Sequence, residues 1–237
     1  KIQILPPDIN DSDRDFTPVK EAVRFGIAAI KNVGTAAVEA IFEAKASGNF
    51  SSFEDFCRRI NARTVNKKVI ESLIKAGTFD AFGQSRAYLL ATFEKRINRA
   101  ASQKKEASRG QEALFGELAI DASSDTKEGV DEFSPEQLLR MEKELLGLYI
   151  SAHPLERLRD SLEAQSSIRL IDVPEMNEGA SLKVAGLLSD CKRLVTKRGD
   201  AMLLASLEDL TGRAALVVFP RTYERAASFL NDETVVL

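Results

Sequence analysis

An α+β multidomain chain is predicted, helical in its first half and antiparallel β in its second, and three observations carry that prediction. Between 26 and about 100 apolar residues recur at helical spacing: Ile27 and Ile30, then Ala37, Val38, Ile41 and Phe42, then Phe53, Phe56 and Ile60, then Val69, Ile70, Leu73 and Ile74. Between about 101 and 133 this periodicity gives way to Ser, Gln, Lys, Glu and Asp. From Leu182 onward the period shortens to that of strands separated by glycine-containing turns. With 237 residues, 44% of them apolar, the chain is long enough to bury a core in more than one unit.

Taken in order, residues 1–16 hold Pro6-Pro7 and the aspartates Asp8, Asp11, Asp13 and Asp15, which favour an extended connector over a helix. Val23 to Ile27 reads as a short strand, and about five short helices follow over 26–100. Ser134-Pro135-Glu136 is a helix start, Ser134 serving as N-cap and Pro135 as the first helical residue. After His153-Pro154 a short helix runs to about Ala164. Leu182–Val195, a turn at Lys197-Arg198-Gly199-Asp200, and Met202–Leu207 form a hairpin. A turn at Asp209–Gly212, the run Ala214–Phe219, a helical piece Tyr223–Leu230 and the strand Thr234–Leu237 complete it. Three meandering strands, a helix and a fourth strand are the order of an OB-fold, here expected to lack its last strand. The expected division is a connector with a short strand over 1–25, a helical domain over 26–100, a flexible linker over 101–133, a helical connector over 134–165 and the β domain over 166–237.

Composition narrows the function classes. No apolar run approaches the roughly 18 residues of a membrane span, and the N-terminus lacks a secretory pattern, so a soluble cytoplasmic protein without a membrane partner is expected. Cys57 and Cys191 lie far apart and there is one histidine, which argues against disulfide scaffolds and structural zinc. Starting at Lys1 and stopping inside an apolar run, the chain is expected to be a fragment. The net charge of −3 hides an asymmetry, because residues 58–110 hold 13 Lys/Arg against 4 Asp/Glu. Such a basic stripe attracts a phosphate backbone, although a solvated helical face has the same composition.

Ile30-Lys31-Asn32-Val33-Gly34-Thr35 sets an apolar helix end, a tight turn and a small-residue helix start in succession, the form of a helix–hairpin–helix motif. In that device the amides of a helix N-terminus grip one phosphate whatever the base. Gly34 allows close approach and Lys31 adds charge; the alternative is an ordinary corner between helices with a glycine cap. A second candidate runs from Val65 to Asp80, with Lys67, Lys68 and Lys75 near a turn at Ala76-Gly77-Thr78. Two such units side by side bind a duplex without regard to sequence. In the linker, Gln111-Glu112-Ala113-Leu114-Phe115 has an amide anchor and adjacent large apolar side chains, suited to docking in a preformed pocket; the alternative is a stray tuck onto the neighbouring domain. Asp11, Asp13 and Asp15 read as a solvated loop rather than a metal site, His153 as a turn residue and Cys57 as a small buried hydrophobe.

The order of these motifs resembles one family, the alpha subunits of bacterial DNA polymerase III, the replicative polymerases of the C family. The resemblance lies in Phe25–Ile41, Val65–Asp80, Glu144-Leu145-Leu146-Gly147-Leu148-Tyr149-Ile150-Ser151-Ala152-His153-Pro154-Leu155, Thr196–Gly199, Leu207–Gly212 and Val218-Phe219-Pro220, and it covers essentially the whole chain. It implies a tandem helix–hairpin–helix domain that holds duplex DNA through Lys31, Asn32, Val33, Gly34, Thr35, Lys67, Lys68, Lys75, Ala76, Gly77 and Thr78. It also implies an internal sliding-clamp (beta subunit) motif at Gln111, Leu114 and Phe115. The OB domain would receive single-stranded DNA at Lys192, Arg193, Lys197 and Arg198, with Phe219 as a stacking surface, although its apolar run marks Phe219 as core. Other replicase subunits are implied partners. Catalytic carboxylates and their two Mg ions belong to another part of such a polymerase, so no catalytic residue and no cofactor is expected here. An error-prone homologue and a non-catalytic DNA-binding adaptor or repair scaffold are the alternatives.

Overall fold

The computed structural model describes residues 2–108 and 130–237 and divides into two units, Lys1–Ala152 and His153–Leu237. The first opens with strand β1 (Gln3–Leu5), not with a free connector. It lies parallel to β3 (Ala22–Arg24), which pairs antiparallel with β2 (Thr17–Val19). Asp8 organises the intervening aspartates by accepting the amides of Asn10 and Asp11. The 13–15 backbone then lies directly on Gly26, accepting hydrogen bonds from the amides of Ile27 and Ala28 through Asp13 and Arg14. A Cβ on Gly26 would stand 2.4 Å from the Asp15 carbonyl carbon, so this glycine is required by contact rather than by its dihedral angles. Gly26→Ala is expected to cost about 3 kcal/mol by forcing backbone apart, read as a lower urea midpoint; a midpoint unchanged from the parent contradicts it.

Helices α1 (Thr35–Lys45), α2 (Phe53–Arg59), α3 (Lys67–Lys75) and α4 (Arg86–Ser108) follow. Ser52 caps α2 by accepting the Asp55 amide, and Asn66 caps α3 by accepting that of Val69. Their apolar faces meet in a core built on Phe50, Phe53, Phe56 and Phe79, with edge-on ring contacts near 5 Å, surrounded by Ile30, Val38, Ile41, Ile70 and Leu73. Cys57 is buried in it, and burial pushes its thiol up to about 12. Helix α5 (Pro135–Leu146) starts with a full capping box between Ser134 and Gln137 and ends at Gly147, φ 77°. Leu145 and Leu146 enter the same core, so α5 belongs to the first unit, and the helical segment expected as one connector over 134–165 is divided between the two. Glu132 fastens this return of the chain by accepting the amides of Arg86 and Ala87 at the start of α4, and those bonds hold its carboxyl below the usual range against the opposing effect of burial.

The second unit begins with His153, whose Nδ1 accepts the Leu155 amide as a helix cap, and continues through α6 (Arg159–Gln165). Its sheet is antiparallel throughout: β4 (Gly186–Val195), β5 (Ala201–Glu208), β6 (Arg213–Val218) and β7 (Val235–Val236) in the order β6-β5-β4-β7. Strand β4 carries a bulge between Ser189 and Lys192, where Asp190 takes φ 52°. With α7 (Pro220–Ala226) between β6 and β7, this is a curled half-barrel of OB type over Leu170, Leu188, Leu203, Leu207, Val218 and Tyr223. Asp209 joins the β5–β6 turn to the segment before the sheet by accepting the amides of Leu170, Thr211 and Gly212. Burial works against its charge, but these bonds outweigh it and hold the carboxyl below its ordinary value. The stabilisation is therefore present above pH ~4 and lost as pH falls through the lowered folded value. Asp209→Asn is expected to destabilise this unit by about 1–2 kcal/mol at pH 7 and to flatten its stability between pH 4 and 2; acid profiles that coincide with the parent contradict this.

Candidate nucleic-acid interface

Helix N-termini leave amides without acceptors, and the first unit answers that demand unevenly. Helices α2, α3 and α5 each have a side-chain cap, whereas α1 begins at Gly34 with none and has no acidic residue in its first turn. The amides of Gly34, Thr35 and Ala36 have no acceptor among the described residues, and all three residues are exposed. The preceding bend is held by the Val33 amide on the Ile30 carbonyl (3.1 Å). Its left-handed residue is Asn32 at φ 69°, not the glycine, which has an ordinary φ of −76°. Nothing lies within 4 Å of the Cβ position on Gly34. Neither conformation nor internal packing demands a glycine there, and the space above it is open. Lys31 is exposed beside the bend, Asn32 and Thr35 are exposed within it, and Val33 is buried beneath it.

The second bend is not at the glycine predicted for it. Gly77, φ 80°, closes a Schellman cap on α3, its amide donating to the Ile74 carbonyl (2.9 Å) and that of Thr78 to Leu73 (3.1 Å). The Ala76 amide is also taken, by Ser72, and all three residues are buried. The Arg86 guanidinium fills the space a Gly77 side chain would need. Ala76, Gly77 and Thr78 therefore have no free amide for a phosphate, and Lys75 is bound to Glu71 at 2.5 Å. The open bend lies at the other end of the helix, where Asn61 accepts the amides of Arg63, Thr64 and Val65 and leads into α3. There the amides of Lys67 and Lys68 have no backbone acceptor among the described residues. Arg63 and Lys68 are exposed without an acidic partner among those residues, while Lys67 pairs with Glu94. A basic run entering a helix from an asparagine turn was the available signal for Arg63.

A groove of about 590 Å³ beside the start of α1 is lined by Ala36, Glu39 and Glu43 of α1, by Arg59 of α2, and by Asn61 and Thr64 of the turn into α3. Glu39 and Glu43 disfavour an anion within it, and the Arg59 that also lines it is already paired with Asp55. Much of the basic stripe is engaged elsewhere: Arg58 and Arg59 with Asp55, Arg86 with Asp80 and Glu142, Arg96 with Glu54.

In the second unit Lys192, Leu204 and Val217 stand opposite one another on one rung of the sheet. Arg193 pairs in register with the buried Leu203 and so belongs to the other face. Lys197 and Arg198 are exposed in the β4–β5 turn. Phe219, expected as core, is 66% exposed just after β6, because α7 starts there and takes Tyr223 inward instead. The linker residues Gln111, Leu114 and Phe115 lie outside the described residues.

A family model described as helix-hairpin-helix motif matches residues 1–89. Along essentially the whole chain it is similar to proteins named DNA polymerase III subunit alpha: 35% identical to that of Borreliella burgdorferi over 99% of this chain, 36% to that of Mycobacterium leprae over 100%, and 37% to that of Thermus aquaticus over 100%. The chain spans 21%, 20% and 19% of those relatives, about one fifth of their length. An open, uncapped hairpin in the matched region and identity at this level from end to end make the chain a member of the DNA polymerase III alpha subunit family, corresponding to a part of such a subunit.

Proposed function

We propose that the first unit holds duplex DNA by its backbone, without reading bases, in a polymerase whose nucleotidyl-transfer residues and Mg ions lie in another part of the protein. The observation that carries this reading is the pair of helix starts, α1 and α3, whose first amides have no backbone acceptor among the described residues and which adjoin in sequence the exposed Lys31, Arg63 and Lys68. Amides and dipoles at two such starts each take one phosphate, and the cations add counterion release. Phosphate contacts position a duplex but do not discriminate sequence.

Two further roles complete the proposal. Gln111, Leu114 and Phe115 dock on a sliding clamp, which raises the local concentration of primed DNA so that a weak peptide contact suffices. The Leu204–Val217 face and exposed Phe219 supply a stacking surface for single-stranded DNA, with Lys192, Lys197 and Arg198 against its backbone. Fluorescence anisotropy with duplexes of unrelated sequence tests the first role: equal affinities, falling by about 0.9 log units per phosphate for each log unit of salt, support it, and a flat salt response overturns it. Leu114→Ala with Phe115→Ala is expected to abolish clamp capture in surface plasmon resonance and leave duplex affinity unchanged; undiminished capture discards the clamp motif.

A further inference from the structure

The bend at 30–34 is shaped from outside itself. Asn32 has a left-handed backbone at φ 69°, a conformation that costs a non-glycine residue of order 1 kcal/mol unless its surroundings fix it. Its Nδ2 donates to the Ser72 Oγ of α3 at 3.2 Å, forty positions away, and Ser72 is 4% exposed. One residue earlier, the Lys31 amide donates to the Leu145 carbonyl at the C-terminal end of α5, 2.9 Å away. That carbonyl is one of those a helix end leaves without an internal partner, so the bond satisfies both sides. Ser72 lies on the same helix whose N-terminus forms the second open bend.

We infer that Asn32 and Ser72 are positioning residues that lock the first hairpin to the second phosphate-binding helix, so that the two sets of free amides meet a duplex at a fixed spacing. The inference rests on the duplex-binding reading above. The free amides on α1 and α3 are useful together only if their separation matches successive phosphates, and pre-set spacing removes an ordering cost from binding. An Asn is used at position 32 because its side chain tolerates the left-handed conformation and also supplies the donor. Glycine would supply only the conformation.

The test uses the 237-residue chain with Asn32→Gly, Ser72→Ala and the double variant. Duplex affinity is measured by anisotropy, the salt slope from the same titrations, and folding by thermal melting. Each single variant is expected to bind a duplex about fivefold more weakly, with salt slope and melting unchanged. The double variant is expected to bind no more weakly than either single one, because both remove the same bond. Singles that bind as the parent does, or losses that multiply in the double variant, overturn the inference. A melting decrease matching the affinity loss also overturns it, since the pair would then be structural only. Gly34→Val, which blocks the approach to the first hairpin without touching this bond, serves as the control. Loss of affinity with Gly34→Val but not with Asn32→Gly or Ser72→Ala rejects the positioning role alone; no loss with any of them rejects the duplex-binding site.

Discussion

Arg86→Met is expected to destabilise the first unit by about 3–5 kcal/mol, as removing one partner of a buried ion pair does. Arg86 is 6% exposed and Glu142 2%, and the guanidinium reaches both Asp80 (2.6 Å) and Glu142 (3.5 Å) while donating to the Lys75 carbonyl (3.1 Å). Burial works against its charge, yet the bonds and charges of Asp80, with those of Glu142 and Glu132, raise its affinity for the proton above the ordinary arginine value. Methionine fills the volume but leaves Glu142 charged, buried and short of a cation, although it keeps the amides of Ile150 and Ser151. Adding Glu142→Gln to Arg86→Met is expected to recover part of the loss, since the uncompensated charge then disappears. Urea unfolding checks both, and a loss below 1 kcal/mol for the single variant contradicts the role given to Arg86.

Replacing Lys31, Arg63 and Lys68 together by alanine is expected to weaken duplex binding roughly a hundredfold or more near 0.1 M salt, and to lower the log–log salt slope by about 2.7, near 0.9 for each cation. These residues are exposed and have no acidic partner among the described residues, so the fold has no need of their charge. The matching change at Arg58, Arg59 and Lys75, each already paired within its own helix, is expected to move the slope far less. Equal losses from the two triple variants would mean that the charge acts as a diffuse field rather than at the hairpins.

That contrast shows which parts of the molecule its residues announce. Helix and strand periods are local, so the two-part architecture, the Ser134-Pro135 start and the first hairpin are legible along the chain. The second hairpin is not, because a glycine after a helix looks the same whether it frees amides or closes a Schellman cap. What separates the two is the bonding of the Gly77 and Thr78 amides back to Ile74 and Leu73, with the Arg86 guanidinium packed against Gly77. A basic run likewise does not declare its partners: Glu94 lies 27 residues from the Lys67 it binds, and Glu142 is further still from Arg86. Phe219 ends an apolar run, but whether a run's last residue faces the core depends on where the next helix turns away. The attachment of α5 to the first unit rests on Leu145, Leu146 and Glu132 meeting residues from across the linker.

Amide resonances report the proposed grip most directly. In a 15N-labelled chain titrated with a short duplex of arbitrary sequence, the amides of Gly34, Thr35, Ala36, Lys67 and Lys68 are expected to shift downfield together as they acquire phosphate acceptors, while those of Ala76, Gly77 and Thr78 stay in place. Movement at 76–78 with the α1 and α3 starts unperturbed would contradict it.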